Sequence, residues 1–235
     1  MELKKDFSKF SAQKYLEEYY TNLCVENQFL MKAYNEIYSA GIVSGTFLEV
    51  GGGPTIYQLI AASKVAKRIY FTDVNYDNIY EVCRWFAGSK GSFDWNLYFQ
   101  FASEIESIPA VDIESRLRSK DITYGLLDIF KGLRISSDIV ASSFCLESIT
   151  DNEDDYLKIL KRLKDATNNV LVMSALRNAS YYDVCDEKYV AYPITLEKLT
   201  QYLQPEFIVD QSFTLDCDCE RGYDGMIVLK ARRIK

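Results

Sequence analysis

Residues 51–55, Gly51-Gly52-Gly53-Pro54-Thr55, are the segment of this 235-residue chain best suited to hold a ligand. They follow a short apolar run, Thr46 to Val50, and precede a stretch with helical periodicity. Glycines let a backbone turn sharply and approach a ligand closely. A helix start behind them would offer free amides to an anionic group. A dinucleotide fingerprint needs a further glycine three residues after the second. Gly51 and Gly53 fit that pattern, but Ile56 stands in the third place, and no phosphate-loop lysine follows. The loop therefore favours a ligand without a pyrophosphate, such as S-adenosylmethionine. Asp73 ends the next apolar run, about 20 residues on, where a carboxylate can accept both hydroxyls of a ribose. A plain structural turn remains open for the loop taken alone. Asp128 ends a further strand-like run, where it suits an adenine amine or a simple cap.

The chain contains no histidine. That removes the serine–histidine–aspartate triad, the H-E-x-x-H zinc motif and any imidazole base. No metal site is expected from the cysteine and carboxylate spacing. Acid–base work would fall to Asp, Glu, Tyr, Lys or Cys, and methyl transfer from a sulfonium needs little of it. The net charge of −7 and the absence of long basic runs argue against a nucleic-acid partner. Hydrophobic residues make up 48% of the chain, yet no apolar run approaches the roughly 20 residues of a membrane span. With six scattered cysteines and no leader pattern at Met1–Asp6, a cytoplasmic chain with reduced thiols is expected. Cys217 and Cys219 alternate with acids as on a strand, which favours buried thiols over metal ligands.

The elements that must position these residues alternate. Apolar spacing predicts helices over the first 43 residues or so, then a strand at 46–50. A helix follows over 54–66, a strand over 68–73 and a helix over 75–87. Runs 96–101, 122–127, 138–143 and 169–175 read as strands, and 152–166 and 195–204 as helices. Two longer strands, 207–219 and 223–231, close the chain around a turn at Glu220-Arg221-Gly222. Repeated strand–helix units imply a doubly wound, mainly parallel sheet with ligands at the carboxyl ends of its strands.

Several strings carry a closer likeness. They are Tyr15-Leu16-Glu17-Glu18-Tyr19-Tyr20, Gly51 to Leu59 (G-G-G-P-T-I-Y-Q-L), Phe93-Asp94-Trp95, Ser142 to Glu147 (S-S-F-C-L-E) and Ser180-Tyr181-Tyr182. By these the chain resembles the nicotinamide, phenylethanolamine and indolethylamine N-methyltransferase family, from Phe10 to Ala231. The resemblance implies a Rossmann-like class I methyltransferase. Its mainly parallel sheet has seven strands, the last antiparallel, with helices on both faces. An N-terminal helical lid would cover 1–45 and a cofactor-binding core 46–235. It also implies S-adenosylmethionine as cofactor, a small amine as substrate and a monomer.

The same resemblance assigns roles. Tyr15 and Tyr20 would close over the cofactor, and Tyr15 over the substrate as well; by spacing alone they form an amphipathic stripe. Gly51, Gly52, Gly53, Thr55 and Tyr57 would hold the methionine end, with Ser142 nearby. Asp73 and Asn78 would hold the ribose, and Asp128 and Ile129 would frame the adenine. Glu147 would pair with the substrate amine or accept its proton, with Tyr182 as an alternative acceptor; a first-turn acid is the plainer reading of Glu147. Ser174 and Ala191 replace an Asp and a Ser of the nicotinamide branch, which argues against nicotinamide. Arg177 falls near a second amine-binding acid of the phenylethanolamine branch. A substrate with both an amine and an anionic group, read by Glu147 and Arg177, is expected from that exchange, unless Arg177 is a loop charge. An S- or O-methyltransferase on the same scaffold, or a cofactor binder without catalysis, are the competing readings.

Overall fold

In a computed structural model, described at residues 3, 10–184, 187–217 and 221–234, seven strands form one sheet flanked by eight helices. The order in the sequence is α1 (Ala12–Tyr20), α2 (Val25–Ser39), β1 (Gly45–Val50), α3 (Tyr57–Ala62), β2 (Ala66–Asp73), α4 (Tyr76–Phe86), α5 (Asn96–Glu106), α6 (Ala110–Arg118), β3 (Asp121–Leu126), β4 (Ser137–Ser143), a single 3-10 turn (Glu147–Ile149), α7 (Glu153–Ala166), β5 (Thr167–Arg177), β6 (Tyr181–Val184), β7 (Glu187–Val190), α8 (Leu196–Leu203), β8 (Phe207–Asp216) and β9 (Gly225–Arg233).

The sheet runs β3-β2-β1-β4-β5-β9-β8. β9 lies antiparallel between β5 and β8, while β1 to β5 pair in parallel. The chain reverses its direction of growth between β1 and β4, so the loops after those strands diverge and leave a crevice. Alternation along β1 divides the core. Phe47 and Glu49 face a layer that holds α2, α3 and α5. Leu48 and Val50 face α7 and α8, where Tyr156, Ile159, Leu160, Leu163, Leu199 and Leu203 are buried.

Residues 96–101 are helical, against the strand expected there. Read in a window of six, Leu97, Tyr98, Phe99 and Phe101 look like a β run. Over a longer window Trp95, Tyr98, Phe99 and Ala102 fall at i, i+3, i+4 and i+7, and all four are buried. Asp94 accepts the Asn96 amide at 2.9 Å and starts the helix. α6 and the β6–β7 hairpin were not anticipated; each is short and depends on packing for its stability. β8 and β9 pair as expected, and the pairing continues past Asp216 and Gly225, where Cys217 N donates to Asp224 O at 3.1 Å. Cys185 and Cys219 lie outside the described residues.

The N-terminal segment divides in two. α2 buries Leu30, Met31, Ala33, Tyr34, Ile37 and Tyr38 and belongs to the core layer. α1, capped where Ser11 Oγ accepts the Lys14 amide, lies over the crevice. No helix among the described residues is long and apolar enough to cross a membrane.

Candidate active site

A cavity of about 1000 Å³ opens at the carboxyl ends of β1, β2 and β4, beneath α1. Its floor is the loop after β1. The amides of Gly51 and Gly52 both donate to Thr72 O, at 2.9 and 3.1 Å, which bends the chain over the end of β2. Gly51 has φ +67°, and a Cβ there would stand 2.2 Å from Cys145 Sγ. Gly53 has φ +62° but faces open space. Thr55 and Gln58 both donate to Gly52 O, and Thr55 also donates to Gln58 Oε1, so the loop is braced from behind.

Asp73 ends β2 beside this loop. Its carboxylate accepts Gly53 N at 2.9 Å, Asn75 N at 2.8 Å and Asn78 Nδ2 at 3.1 Å. Burial pushes its pKa up, and the three N–H donors oppose that. Asn78 turns its Nδ2 to Asp73, which leaves Oδ1 buried without a hydrogen-bond partner among the described residues. An orphaned acceptor beside a carboxylate, both in the cavity wall, fits a hydroxyl-bearing ligand such as a ribose. Further along, Asp128 lines the cavity with Leu127, Ile129 and Phe130. It also caps its own turn, accepting Phe130 N at 2.9 Å and pairing with Lys131 at 3.1 Å.

The roof is aromatic. Tyr15 and Tyr20 of α1 share a hydroxyl contact at 3.4 Å, and the Tyr20 ring packs on Tyr57 (5.4 Å) and Trp95 (5.6 Å). Burial raises the pKa of the Tyr15 hydroxyl and pushes those of Tyr20 and Tyr57 well above the usual phenol range, so all three stay protonated donors. Tyr19 donates to the Asp183 carbonyl of β6, tying α1 to the hairpin. Tyr182, also on β6, lines the cavity and donates to Ser148 O at 3.2 Å.

Five expected site residues do not line the cavity. Ser142 points away and donates to Val50 O at 2.9 Å. Ser174 is buried against the Tyr34 hydroxyl at 2.7 Å. Ala191 is a buried core methyl. Arg177 meets Asp224 at 2.5 Å and Asp216 at 2.8 Å, so two carboxylates already neutralise it. Glu147 is fully buried just behind the wall, between its lining neighbours Cys145 and Ser148, and its Oε1 accepts Leu176 N at 3.0 Å. Burial raises its pKa to about 7. Ser143, Phe144, Cys145, Leu176, Tyr223 and Met226 line the cavity and were not singled out from sequence. The string Ser142 to Glu147 carries the signal for three of them, Ser143, Phe144 and Cys145, while its ends and Leu146 do not line the cavity. No group of three or more His, Cys, Asp or Glu side chains among the described residues could hold a metal.

Comparisons with known proteins give the family and match the fold. The model of the NNMT/PNMT/TEMT family matches residues 1–232. The chain is 25% identical to human nicotinamide N-methyltransferase, over 96% of this chain and 95% of that protein. It is 25% identical to phenylethanolamine N-methyltransferase of Macaca mulatta, over 84% and 77%. Mouse indolethylamine N-methyltransferase is 28% identical over 68% and 66%. In fold it is similar to magnesium protoporphyrin IX methyltransferase from Synechocystis PCC 6803 with bound S-adenosylmethionine, at TM-score 0.61 and 14% identity, over 97% and 93% of the two chains. It is also similar to an N-methyltransferase from Bradyrhizobium japonicum WM9 in complex with S-adenosyl-L-homocysteine, at TM-score 0.59 and 13% identity, over 95% and 99%.

Proposed function

This chain belongs to the NNMT/PNMT/TEMT family, and on that premise we propose that it methylates the nitrogen of a small amine at the cavity beneath α1. It is an S-adenosylmethionine-dependent methyltransferase. The single observation that carries the assignment to this cavity is the juxtaposition of Asp73 and the orphaned Asn78 Oδ1 beside the glycine loop.

When bound, the cofactor supplies a methyl group made electrophilic by its sulfonium. The protein's own work is placement. Asp73 and Asn78 hold the ribose hydroxyls, and Asp128 and Ile129 flank the base. The loop 51–55, with Tyr57 behind it, receives the methionine end. Tyr15 and Tyr20 cover the reacting atoms and keep water out, with α1 rather than all of 1–45 as the moving lid. Orientation of this kind can remove about 7 kcal/mol or more of a barrier. Glu147 takes the proton that the amine must lose, either directly after a small shift of the wall or through Tyr182.

The substrate reading that fits the charges is a plain amine rather than a zwitterion. Arg177 is neutralised by Asp216 and Asp224, and Arg221, at the cavity mouth, pairs with Glu26 at 3.5 Å. The charged residues that line the cavity are the acids Glu18, Glu26, Asp73, Asp128, Asp183 and Asp216 against one base, Arg221, so even with the ion pairs of Glu26, Asp183 and Asp216 counted the balance favours a cation approaching as an ammonium. In a panel of arylalkylamines, amino acids and thiols, the amines should show the highest kcat/KM. Preference for amino acids would return the anionic subsite, and preference for thiols would move the reaction to sulfur.

Glu147→Gln tests the proton acceptor. With its pKa near 7, Glu147 is ionised above that pH and protonated below it. The wild-type rate should therefore rise with pH through about 7, and this inflection should vanish in the variant. Loss of a positioned base should lower kcat roughly 10²-fold above neutrality. An unchanged profile would remove Glu147 from the mechanism.

A further inference from the structure

Glu49 is a carboxyl group with no evident business in the core. It sits on β1 with no solvent exposure, on the same face as Phe47, and neither of its oxygens has a hydrogen-bond partner among the described residues. The polar groups beside it are occupied elsewhere. Gln58 gives its Nε2 to Gly52 O and its Oε1 to Thr55, and Ser143 Oγ is engaged with the Tyr34 hydroxyl at 2.9 Å. Gln58 and Ser143 lower its pKa somewhat, but burial outweighs them and lifts it to about 8.

Its place matters more than its isolation. A Cβ on Gly52 would lie 3.0 Å from Glu49 Cγ, so the side chain lies directly under the loop that floors the cavity. The titratable groups around it are Tyr34 and Tyr38 of α2, Tyr57 of α3 and Cys145 after β4. Burial raises all four, so each stays neutral at ordinary pH. No lysine or arginine among the described residues pairs with Glu49. A cation entering the cavity would be the first positive charge this carboxyl meets, through a wall of low dielectric where charges interact strongly.

We propose that Glu49 is a proton-linked counter-charge for the cofactor: protonated in the empty protein, it releases its proton to solvent when a sulfonium binds and recovers it when the neutral thioether takes its place. The balance is simple. Carboxylic acid plus bound cation gives carboxylate, bound cation and one solvated proton. The device would make the protein favour S-adenosylmethionine over S-adenosylhomocysteine by charge alone, and more so as the pH rises. This inference rests on the cofactor reading above, and deepens it.

The test is calorimetric titration of the full chain with each ligand in two buffers of different ionisation heat, which counts protons released. Comparing wild type with Glu49→Gln cancels the titration of the ligands' own amino groups. Near pH 7.5 the wild type should release about half a proton more with S-adenosylmethionine than with S-adenosylhomocysteine, beyond any difference seen in the variant. Its affinity ratio for the two ligands should grow roughly tenfold between pH 6 and 9, and the variant's should not. Should the variant fail to fold, infrared spectroscopy of Glu147→Gln, which removes the other buried glutamate that titrates near neutrality, reads the same proton. Near pH 7.5 the carbonyl band of a protonated carboxylic acid should lose roughly two thirds of its intensity with S-adenosylmethionine and persist with S-adenosylhomocysteine. Equal proton release in wild type and variant, or a band that does not respond, overturns the counter-charge while leaving the cofactor reading intact. Failure of both ligands to bind the wild type overturns the two together.

Discussion

Asp73→Ala is expected to raise the dissociation constant for S-adenosylhomocysteine by two to four orders of magnitude. Two hydroxyl hydrogen bonds to a charged acceptor are worth roughly 1.5–3 kcal/mol each, which is about 10²- to 10⁴-fold in affinity. The change also leaves the Gly53 and Asn75 amides and Asn78 Nδ2 without their acceptor, so the floor loop loses the anchor that ties it to β2. Asp73→Asn keeps one carbonyl oxygen in place and should lose less. Titration calorimetry on the three proteins reads the order directly. If the alanine variant binds within fivefold of wild type, the ribose is held elsewhere, and the match between Asp73 and Asn78 has another purpose.

The second large effect separates two glycines that look alike in the sequence. At Gly51 the backbone is left-handed, and a Cβ would meet Cys145 Sγ at 2.2 Å and Cys145 Cβ at 2.7 Å. Strain of about 1–3 kcal/mol and overpacking of about 1–3 kcal/mol combine. At roughly 2–4 °C per kcal/mol for a domain of this size, Gly51→Ala should lower Tm by about 5–20 °C. At Gly53 the backbone is also left-handed, but the new methyl would point into open space at the cavity floor. Gly53→Ala should cost only the strain, a few degrees of Tm, and should weaken cofactor binding instead. Thermal melts with and without S-adenosylhomocysteine distinguish the two. Equal Tm losses would mean that the Cys145 wall moves aside freely.

The parts of the site legible in the sequence were those written within a short span. Gly51 to Thr55 and Asp73 are linked by a strand–helix–strand unit whose length sets where the carboxylate lands, so spacing alone carried the inference. Residues that meet only through sheet order were not legible. Arg177 looked like a free charge because its partners, Asp216 and Asp224, are 39 and 47 positions on and reach it through the antiparallel pairing of β9. Ser174 looked like a pocket residue until α2 placed the Tyr34 hydroxyl against it. Glu49 carries no signal in the sequence, because nothing in its neighbours there says that α2 and α3 will cover it. The segment 96–101 is helical rather than extended for a different reason: its buried stripe begins at Trp95 and ends at Ala102, one residue outside it on each side, so the helical period does not show within the segment itself.

The thiol under the glycine loop has a chemical consequence of its own. Cys145 lines a cavity built to receive an alkylating agent, and sulfur anions are better nucleophiles than amines. Burial pushes its thiol well above the usual range, and the charges of Asp73 and Glu147, and of Glu49 whenever it is ionised, push in the same direction. The sulfur is thus kept as an unreactive S–H. The residue that packs against Gly51 so tightly is therefore expected to stay unmethylated through turnover, which the intact mass of the protein after prolonged reaction would read.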